Sequence, residues 1–388
     1  MLKSNKKMRS GGKLDRRPGR AFLFVEVLML GIFAAGYLCP YLPPRHFWWT
    51  GMAAIVLPFT SLVLVLFSVP VLMRRRNARA VTLAHGLALV LIGIRFVHPA
   101  SWFGGSSHDE EDLIIMTQNL PSAMLERAIP ASEKLSGIVE RLNPHLIGIQ
   151  EGIVLGLDTG KYRSTRNAKF RTLIDSLGYR MMPLPEDAGG MMPAWYDPVL
   201  ARIPIETQRQ IEIEYTAEPL QVPLRFVRTV FLWQGRKLVH YNIHLATYGT
   251  SKPWRSIHGR PRFSPTTIAA YLSEMKSGFI RRAWEAIEIR ALVEREADPV
   301  IVSGDFNCTP NNWAYRYISS GLQDAWLAAG SGWGATYHSG FPLWRIDFVL
   351  ISGELEAVSA DVIRVPTGVS DHRALVVRLR WRQTDAAP

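Results

Sequence analysis

Three long apolar runs near the N-terminus constrain this chain more than any other feature. The first extends from Ala21 to about Pro43 with Glu26 as its only acid, the second from Phe47 to Met73, and the third from Val81 to about His98. Roughly 20 apolar residues cross a bilayer, and each run is near or above that length. The third is the weakest, carrying His85 and an Arg95 placed where it can snorkel to the interface. Pro58 and Pro70 inside the second run are tolerable in a membrane helix. A signal peptide would have one short apolar core and would not be followed by two further spans. A lipoprotein signal ending at Cys39 is disfavoured by the bulky Leu38 before it. The sequence therefore predicts an all-α transmembrane region over 21–103, preceded by a basic tail over 1–20.

The loops set the expected orientation. The basic tail and the Arg74-Arg75-Arg76 and Arg79 loop belong on the cytoplasmic side, and the 40–46 loop, next to Trp48 and Trp49, on the other. Three crossings then place everything after Trp102 outside the cytoplasm, as in a multi-pass protein of a bacterial inner membrane. The formal charge of +12 fits this division. Residues 1–104 hold 14 Lys and Arg against Asp15 and Glu26, so the whole excess lies there, and the remainder balances 31 basic with 31 acidic residues. The second part thus offers no bulk electrostatic reason for a polyanionic partner. The two cysteines, Cys39 and Cys308, fall in different regions, so no disulfide framework is expected.

A linker over 104–111, with Gly104-Gly105-Ser106-Ser107, leads into a second domain over 112–382. Leu113–Met116 reads as a strand ending at Thr117-Gln118-Asn119. A helix capped by Ser132 follows, with Leu135, Ile138, Val139 and Leu142 at helical spacing, and then a strand, Leu146–Ile149, ending at Gln150-Glu151. This unit is expected to bring Asn119 and Glu151 to neighbouring strand ends. The Gly189–Pro198 stretch reads as an irregular loop without a role. Strands are predicted over 211–215, 226–233 and 237–244, the last placing His240, Asn242 and His244 on one face. His240 is taken as structural. A long helix, stepping through Ile268, Leu272, Met275 and Phe279, is expected to run to about Glu296. Val300-Ile301-Val302 then opens a strand delivering Asp305 and Asn307, which alternation puts on one face. The basic segment at 161–171 reads as a solvated face, with a phosphate grip as the alternative, and the basic loop at 251–265 reads equally as a solvated loop or as a contact for an anionic substrate.

The polar residues at strand ends come in a telling order: Thr-Gln-Asn-Leu (117–120), Gly-Ile-Gln-Glu (148–151), Asn-Ile-His-Leu (242–245), Gly-Asp-Phe-Asn (304–307), Arg-Ile-Asp-Phe (345–348) and Ser-Asp-His (370–372). Each motif alone is weak. Together they resemble the endonuclease/exonuclease/phosphatase superfamily, whose fold is that of deoxyribonuclease I. The resemblance implies an α/β fold of two packed mixed β-sheets flanked by helices, a four-layer sandwich. It implies that Asn119 and Glu151 hold a divalent cation, Mg²⁺ with Mn²⁺ as the alternative, and that Asp371 completes or supports the site. Asp305 would activate water and Asn307 hold the phosphate, while His244 and an Asp347-oriented His372 would donate hydrogen bonds or move protons. The sequence departs from the pattern at Ala201-Arg202-Ile203-Pro204-Ile205, where alanine and isoleucine replace a serine and an aromatic residue, and at Cys308 after Asn307. The expected activity is a membrane-anchored, metal-dependent phosphodiesterase acting on lipid head groups or nucleic acid. The alternative is a non-catalytic membrane scaffold that binds a phosphorylated ligand.

Overall fold

The computed structural model describes residues 20–73, 79–96, 109–121, 129–155, 177–182, 194–215, 223–249, 263–366 and 369–383. The basic 161–171 segment, nearly all of the 251–265 loop, the N-terminal tail and the Gly/Ser linker lie outside the described residues. The apolar runs form α1 (Arg20–Leu38), α2 (Pro44–Met73) and α3 (Arg79–Phe96), with a 3₁₀ turn over Cys39–Tyr41. All three are long and apolar enough to cross a membrane. The chain bends at Phe47, where φ is −121°. The three helices pack on one another through Phe33, Leu57, Leu64 and Ala88, and a buried Glu26–His85 pair at 3.2 Å ties α1 to α3.

The second domain starts with β1 (Leu113–Asn119), α4 (Ile129–Leu142) and β2 (Leu146–Gln150). The helix begins at Ile129, so Ser132 lies inside it rather than capping it. Next come β3 (Ile153–Leu155), β4 (Ala194–Tyr196), β5 (Val199–Ala201), β6 (Ile205–Ile213), β7 (Leu224–Trp233) and β8 (Arg236–His244). The stretch expected to be an irregular loop thus contains β4, which pairs antiparallel with β3 as a two-stranded ribbon. Strand β6 begins earlier than apolar alternation indicated, because its first half, Thr207-Gln208-Arg209-Gln210, is polar and pairs along β7. The chain closes with α5 (Pro265–Val293), β9 (Val300–Asp305), α6 (Trp313–Ser319), β10 (Gln323–Asp324), α7 (Ala325–Ala329), β11 (Asp347–Ile351), β12 (Leu355–Ile363) and β13 (Ala374–Trp381). Ser264 caps α5 by accepting from the Thr267 N–H at 3.2 Å.

Two mixed sheets pack face to face. One runs in the order β12-β13-β1-β2-β5 and the other β10-β11-β9-β8-β7-β6. Each contains a parallel pair, β1 with β2 and β8 with β9. The inter-sheet core joins Ile115, Ile147 and Val377 of the first to Val227, Phe231 and Ile301 of the second. On the outer face of the second sheet, Val239, Tyr241 and Ile243 meet Ala286 and Ile289 of α5. This is the alternation read for β8, with His240 turned inward to Ser303 Oγ at 2.7 Å. Burial pushes that imidazole down to about 3, so it is a neutral structural group.

This topology positions the site. Parallel pairs β1/β2 and β8/β9 end together, and β11 and β13, antiparallel to their neighbours, begin at that same end. Asn119, Glu151, His244, Asp305, Asp347 and His372 therefore gather at one edge of the sandwich. Two glycines make the packing there possible. A Cβ on Gly304, at φ +141°, would lie 1.8 Å from Ile243 O, and one on Gly148 would lie 2.5 Å from Asn242 Oδ1.

Candidate active site

Between the sheets, motif residues form a polar zipper. Gln150 Nε2 donates to Asn242 Oδ1 at 2.6 Å and to Thr117 Oγ1 at 3.1 Å. Asn242 Nδ2 in turn donates to the carbonyls of Ile149 at 2.8 Å and Asp197 at 2.9 Å. All three side chains are fully buried, and mutual satisfaction is what makes such burial tolerable. Ser370 does similar work on the other side, donating to Asn119 O at 2.6 Å and accepting from the His372 N–H at 2.9 Å. Several motif residues thus hold strand ends in register.

Asp305 sits at the centre. Its register partners are His244 on β8 and Asp347 on β11. Its Oδ2 accepts from Asn119 Nδ2 at 3.0 Å and lies 3.7 Å from His372 Nε2 and 3.8 Å from His244 Nε2. Burial pushes the carboxyl up from its ordinary range against the opposing pull of His372 and His244. His372 Nδ1 is bonded to Asp347 Oδ2 at 2.9 Å, which fixes the ring and directs Nε2 at Asp305. Burial opposes charge on this imidazole, but Asp347 and Asp305 outweigh it and raise it to about 10. At neutral pH it is a cation and a donor. Tyr337 packs against the ring, centroid to centroid 5.0 Å.

The His244 side is more open. Its Nε2 also lies 4.0 Å from Glu151 Oε1 and makes no hydrogen bond among the described residues. Burial opposes its charge as well, and Asp197, Asp305 and Glu151 together raise it. Asp197 was not anticipated. It follows β4 in the positive-φ region at 52°, and its Oδ1 accepts the Glu151 N–H at 2.7 Å. Burial lifts its carboxyl to about 6, with His244 pulling the other way. The only sequence signal was an acid directly before Pro198 at the start of an apolar run, which shows no periodicity linking it to Glu151.

Asn307 does not continue the strand. β9 stops at Asp305, and Asn307 adopts φ 47°, so the expected two-residue alternation ends before it. The loop turns because the Asn307 N–H bonds back to Asp305 Oδ1 at 2.8 Å, while its amide donates to Leu245 O at 2.9 Å. The amide is thus tied to the His244 strand rather than aligned with Asp305.

Asn119 Nδ2 also donates to Glu151 Oε1 at 3.1 Å, and its Oδ1 is buried without a hydrogen-bond partner among the described residues. An orphaned amide oxygen beside an exposed carboxylate is a hard-oxygen donor set that suits a divalent cation. Asp371 is half-buried next to His372 and favours that ring's charge. Among the described residues, no hydrogen bond or ion pair joins its carboxylate to Asn119 or Glu151. A second group able to hold a metal, Asp305, Asp347 and His372, has ligand atoms within 4.8 Å of one another. There His372 Nδ1 is already committed to Asp347, so its geometry is that of a hydrogen-bonded triad.

A cavity of about 520 Å³ opens beside Glu151, Asp197 and His244. Its wall includes Arg225 and Arg281, bonded at 2.9 Å to Glu212 and at 3.0 Å to Glu285.

Residues 116–372 match the Endonuclease/Exonuclease/phosphatase family. The chain belongs to this family of hydrolases acting on phosphate esters. Residues 19–99 match a domain of unknown function (DUF8431). Among solved structures, an endonuclease/exonuclease/phosphatase family protein from Bacteroides thetaiotaomicron is 15% identical over 71% of this chain and 100% of its own, with a TM-score of 0.50. A family protein from Leptotrichia buccalis is 18% identical over 69% and 100%, with a TM-score of 0.47. The human Nocturnin catalytic domain with bound sulfate is 18% identical over 73% and 100%, with a TM-score of 0.45. The first of these, at 15% identity, speaks for the fold alone. No curated protein matches the chain.

Proposed function

We propose that the chain is a membrane-anchored, divalent-metal-dependent phosphodiesterase acting outside the cytoplasm. The observation that carries the chemistry is one carboxylate, Asp305, set between two imidazoles at 3.7 and 3.8 Å with Asn119 and Glu151 alongside. Glu151 and Asn119 would hold the cation, Mg²⁺ by the hardness of its ligands, with Asp371 supporting. The chemistry it would supply is polarisation of a phosphoryl oxygen and stabilisation of charge in the transition state.

The remaining steps belong to the protein. Asp305 accepts a hydrogen bond from the attacking water and takes its proton as the new O–P bond forms. His372, kept charged by Asp347, donates through Nε2 to a phosphoryl oxygen and strengthens that bond as negative charge accumulates. His244, whose charge the surrounding carboxylates favour, gives its Nε2 proton to the leaving oxygen as the ester bond from that oxygen to phosphorus breaks, releasing an alcohol and leaving a phosphate monoester. Asn307 keeps the Asp305 loop against the His244 strand and lies beside the phosphate.

The substrate class best supported is a phospholipid head group, with nucleic acid second. The arginines of the cavity wall are already paired with glutamates, and the part of the chain beyond residue 104 carries no net charge. A polynucleotide track needs cations to displace counterions. The anchor supports the same reading, since α1–α3 are long enough to span and the Arg74–Arg76 cluster follows the inner end of α2. The test is hydrolysis by the purified full-length protein with Mg²⁺, using phospholipid vesicles, single- and double-stranded nucleic acid and a soluble phosphodiester. Turnover of vesicle lipid that Asp305→Asn abolishes is expected. A folded protein that cleaves none of the panel would sink the reading.

A further inference from the structure

From Ala325 to Trp344 the chain carries no Asp, Glu, Lys or Arg, although Asp324 and Arg345 stand at its two ends. In their place it holds Trp326, Trp333, Tyr337, Phe341 and Trp344. The chain beyond residue 104 has 31 basic and 31 acidic residues, so an interval of this length without one departs from its surroundings. Such a segment is ordinary when buried. This one is not: Leu327, Trp333 and Phe341 are 44%, 56% and 75% exposed. The Trp333 indole donates to Leu343 O at 2.9 Å, which folds the two arms of the segment together. Single exposed apolar side chains are normal, but a charge-free aromatic surface costs a domain facing only water.

The contacts of α2 set the depth of this surface. At about 1.5 Å per residue, roughly 30 Å of hydrocarbon counted back from Met73 ends near residue 53. The domain meets α2 at that level through Asn312, whose Nδ2 donates to Gly51 O at 3.3 Å. Phe279 packs so closely there that a Cβ on Gly51 would lie 2.4 Å from its ring. The charge-free segment reaches further in. The Trp344 indole donates to Ile55 O at 3.1 Å, and its ring meets Phe59 edge-on at 6.1 Å. Phe59 lies ~9 Å inside the boundary on the same helical rise.

The other side of the segment is bonded to the active site. Tyr337 and Trp344 exchange backbone hydrogen bonds of 2.9 and 3.0 Å, and the Tyr337 ring packs on His372 at 5.0 Å. The Ser339 N–H donates to Asp371 O at 2.6 Å, and its hydroxyl to Ser370 O at 3.1 Å. Three successive contacts thus join α2 to the His372 imidazole. We propose that the 325–344 segment is a second membrane contact, with Leu327, Trp333 and Phe341 seated in the outer leaflet, and that it holds the His372 side of the site at the head-group layer. The bilayer is the occupant because this surface continues the face by which the domain grips α2. Tryptophan and tyrosine favour that interface, and the missing charges are those that would oppose entry. The inference rests on the membrane-spanning reading of α1–α3. It does not depend on which phosphodiester is cleaved.

The test is spin-label accessibility on the full-length protein in phosphatidylcholine nanodiscs. Labels are placed singly at Trp333→Cys and Phe341→Cys, with Leu66→Cys on α2 and Glu356→Cys on β12 as references. The native thiols are buried, and the parent protein serves as the blank. Collision with oxygen should exceed collision with a water-soluble nickel chelate at 333 and 341, as at 66, and the order should reverse at 356. Nickel ahead of oxygen at 333 and 341, with 66 still oxygen-dominated, would overturn the proposal. Low access to both reagents at 333 and 341 would overturn it too, because protein, including a second copy of this chain, would then cover the surface. Nickel ahead of oxygen at 66 would overturn the membrane reading itself. A second measurement needs no substitution: a phospholipid with an acyl-chain diazirine should label the 317–345 tryptic peptide, which Arg316 and Arg345 bound. Label on α2 with none on that peptide would also sink the proposal.

Discussion

The two sides of Asp305 hold imidazoles at nearly the same distance but by different means. His372 is buried, locked through Nδ1 to Asp347 and packed against Tyr337. The His244 side chain is half-buried, its buried Nε2 makes no hydrogen bond among the described residues, and three carboxylates share the task of favouring its charge. The first arrangement delivers a fixed donor and the second a donor that no acceptor among the described residues engages. Pre-organisation differs across one carboxylate, and the cost of removing each ring should differ with it.

His372→Ala is expected to produce the largest loss, about a thousandfold in kcat, because it removes a pre-oriented cation and leaves Asp347 buried without its partner. A smaller loss than His244→Ala under the same assay would reverse the ranking. Glu151→Gln comes next: activity should fall about a hundredfold and recover in part with excess Mg²⁺ or Mn²⁺, whereas wild type should lose activity in EDTA and regain it on adding metal. A metal titration by calorimetry unchanged by the substitution would remove Glu151 from the ligand set. His244→Ala should lower kcat by about a hundredfold or less, and Asp197→Asn by about tenfold, the second mainly by relaxing His244 and the Glu151 backbone. If Asp197→Asn matched His372→Ala, the open side would prove as organised as the closed one.

The last expected effect is read as stability rather than as a rate. The folded pKa of His372, about 10, lies above its unfolded value near 6.5. Its contribution is therefore fully present below about 6.5 and is lost as pH rises toward 10. Melting of the metal-free protein should fall over that window, and His372→Gln should flatten the dependence, while His244→Gln, on the more open side, should flatten it less.

The legible parts of this molecule were those written in local pattern. Apolar length marked α1–α3, and period-two alternation correctly separated His240 and Asn242 from Val239 and Tyr241 on β8. The order of short polar motifs marked the family and the strand ends on which Asn119, Asp305 and His372 stand. What escaped was either polar or non-repetitive. Half of β6 is held by pairing with β7 rather than by an apolar face, and β4 is a three-residue ribbon whose partner β3 lies across a long interval of chain. Asn307 and Glu151 both leave the strand geometry at positive φ, where alternation no longer predicts direction.

By itself the sequence determined the three apolar spans, the partition of charge between the two halves, and the inventory of chemistry at each strand end. These depend on composition and short-range periodicity, which survive without a partner. Only the tertiary structure decided that Asp197 reaches Glu151 and His244, that Asn242 and Gln150 spend themselves between the sheets, and that the Trp344 indole donates to Ile55 O of α2, 289 residues away. Each is a contact between residues far apart in order, made by the closing of two sheets or the docking of helices. Local periodicity carries no record of such distances.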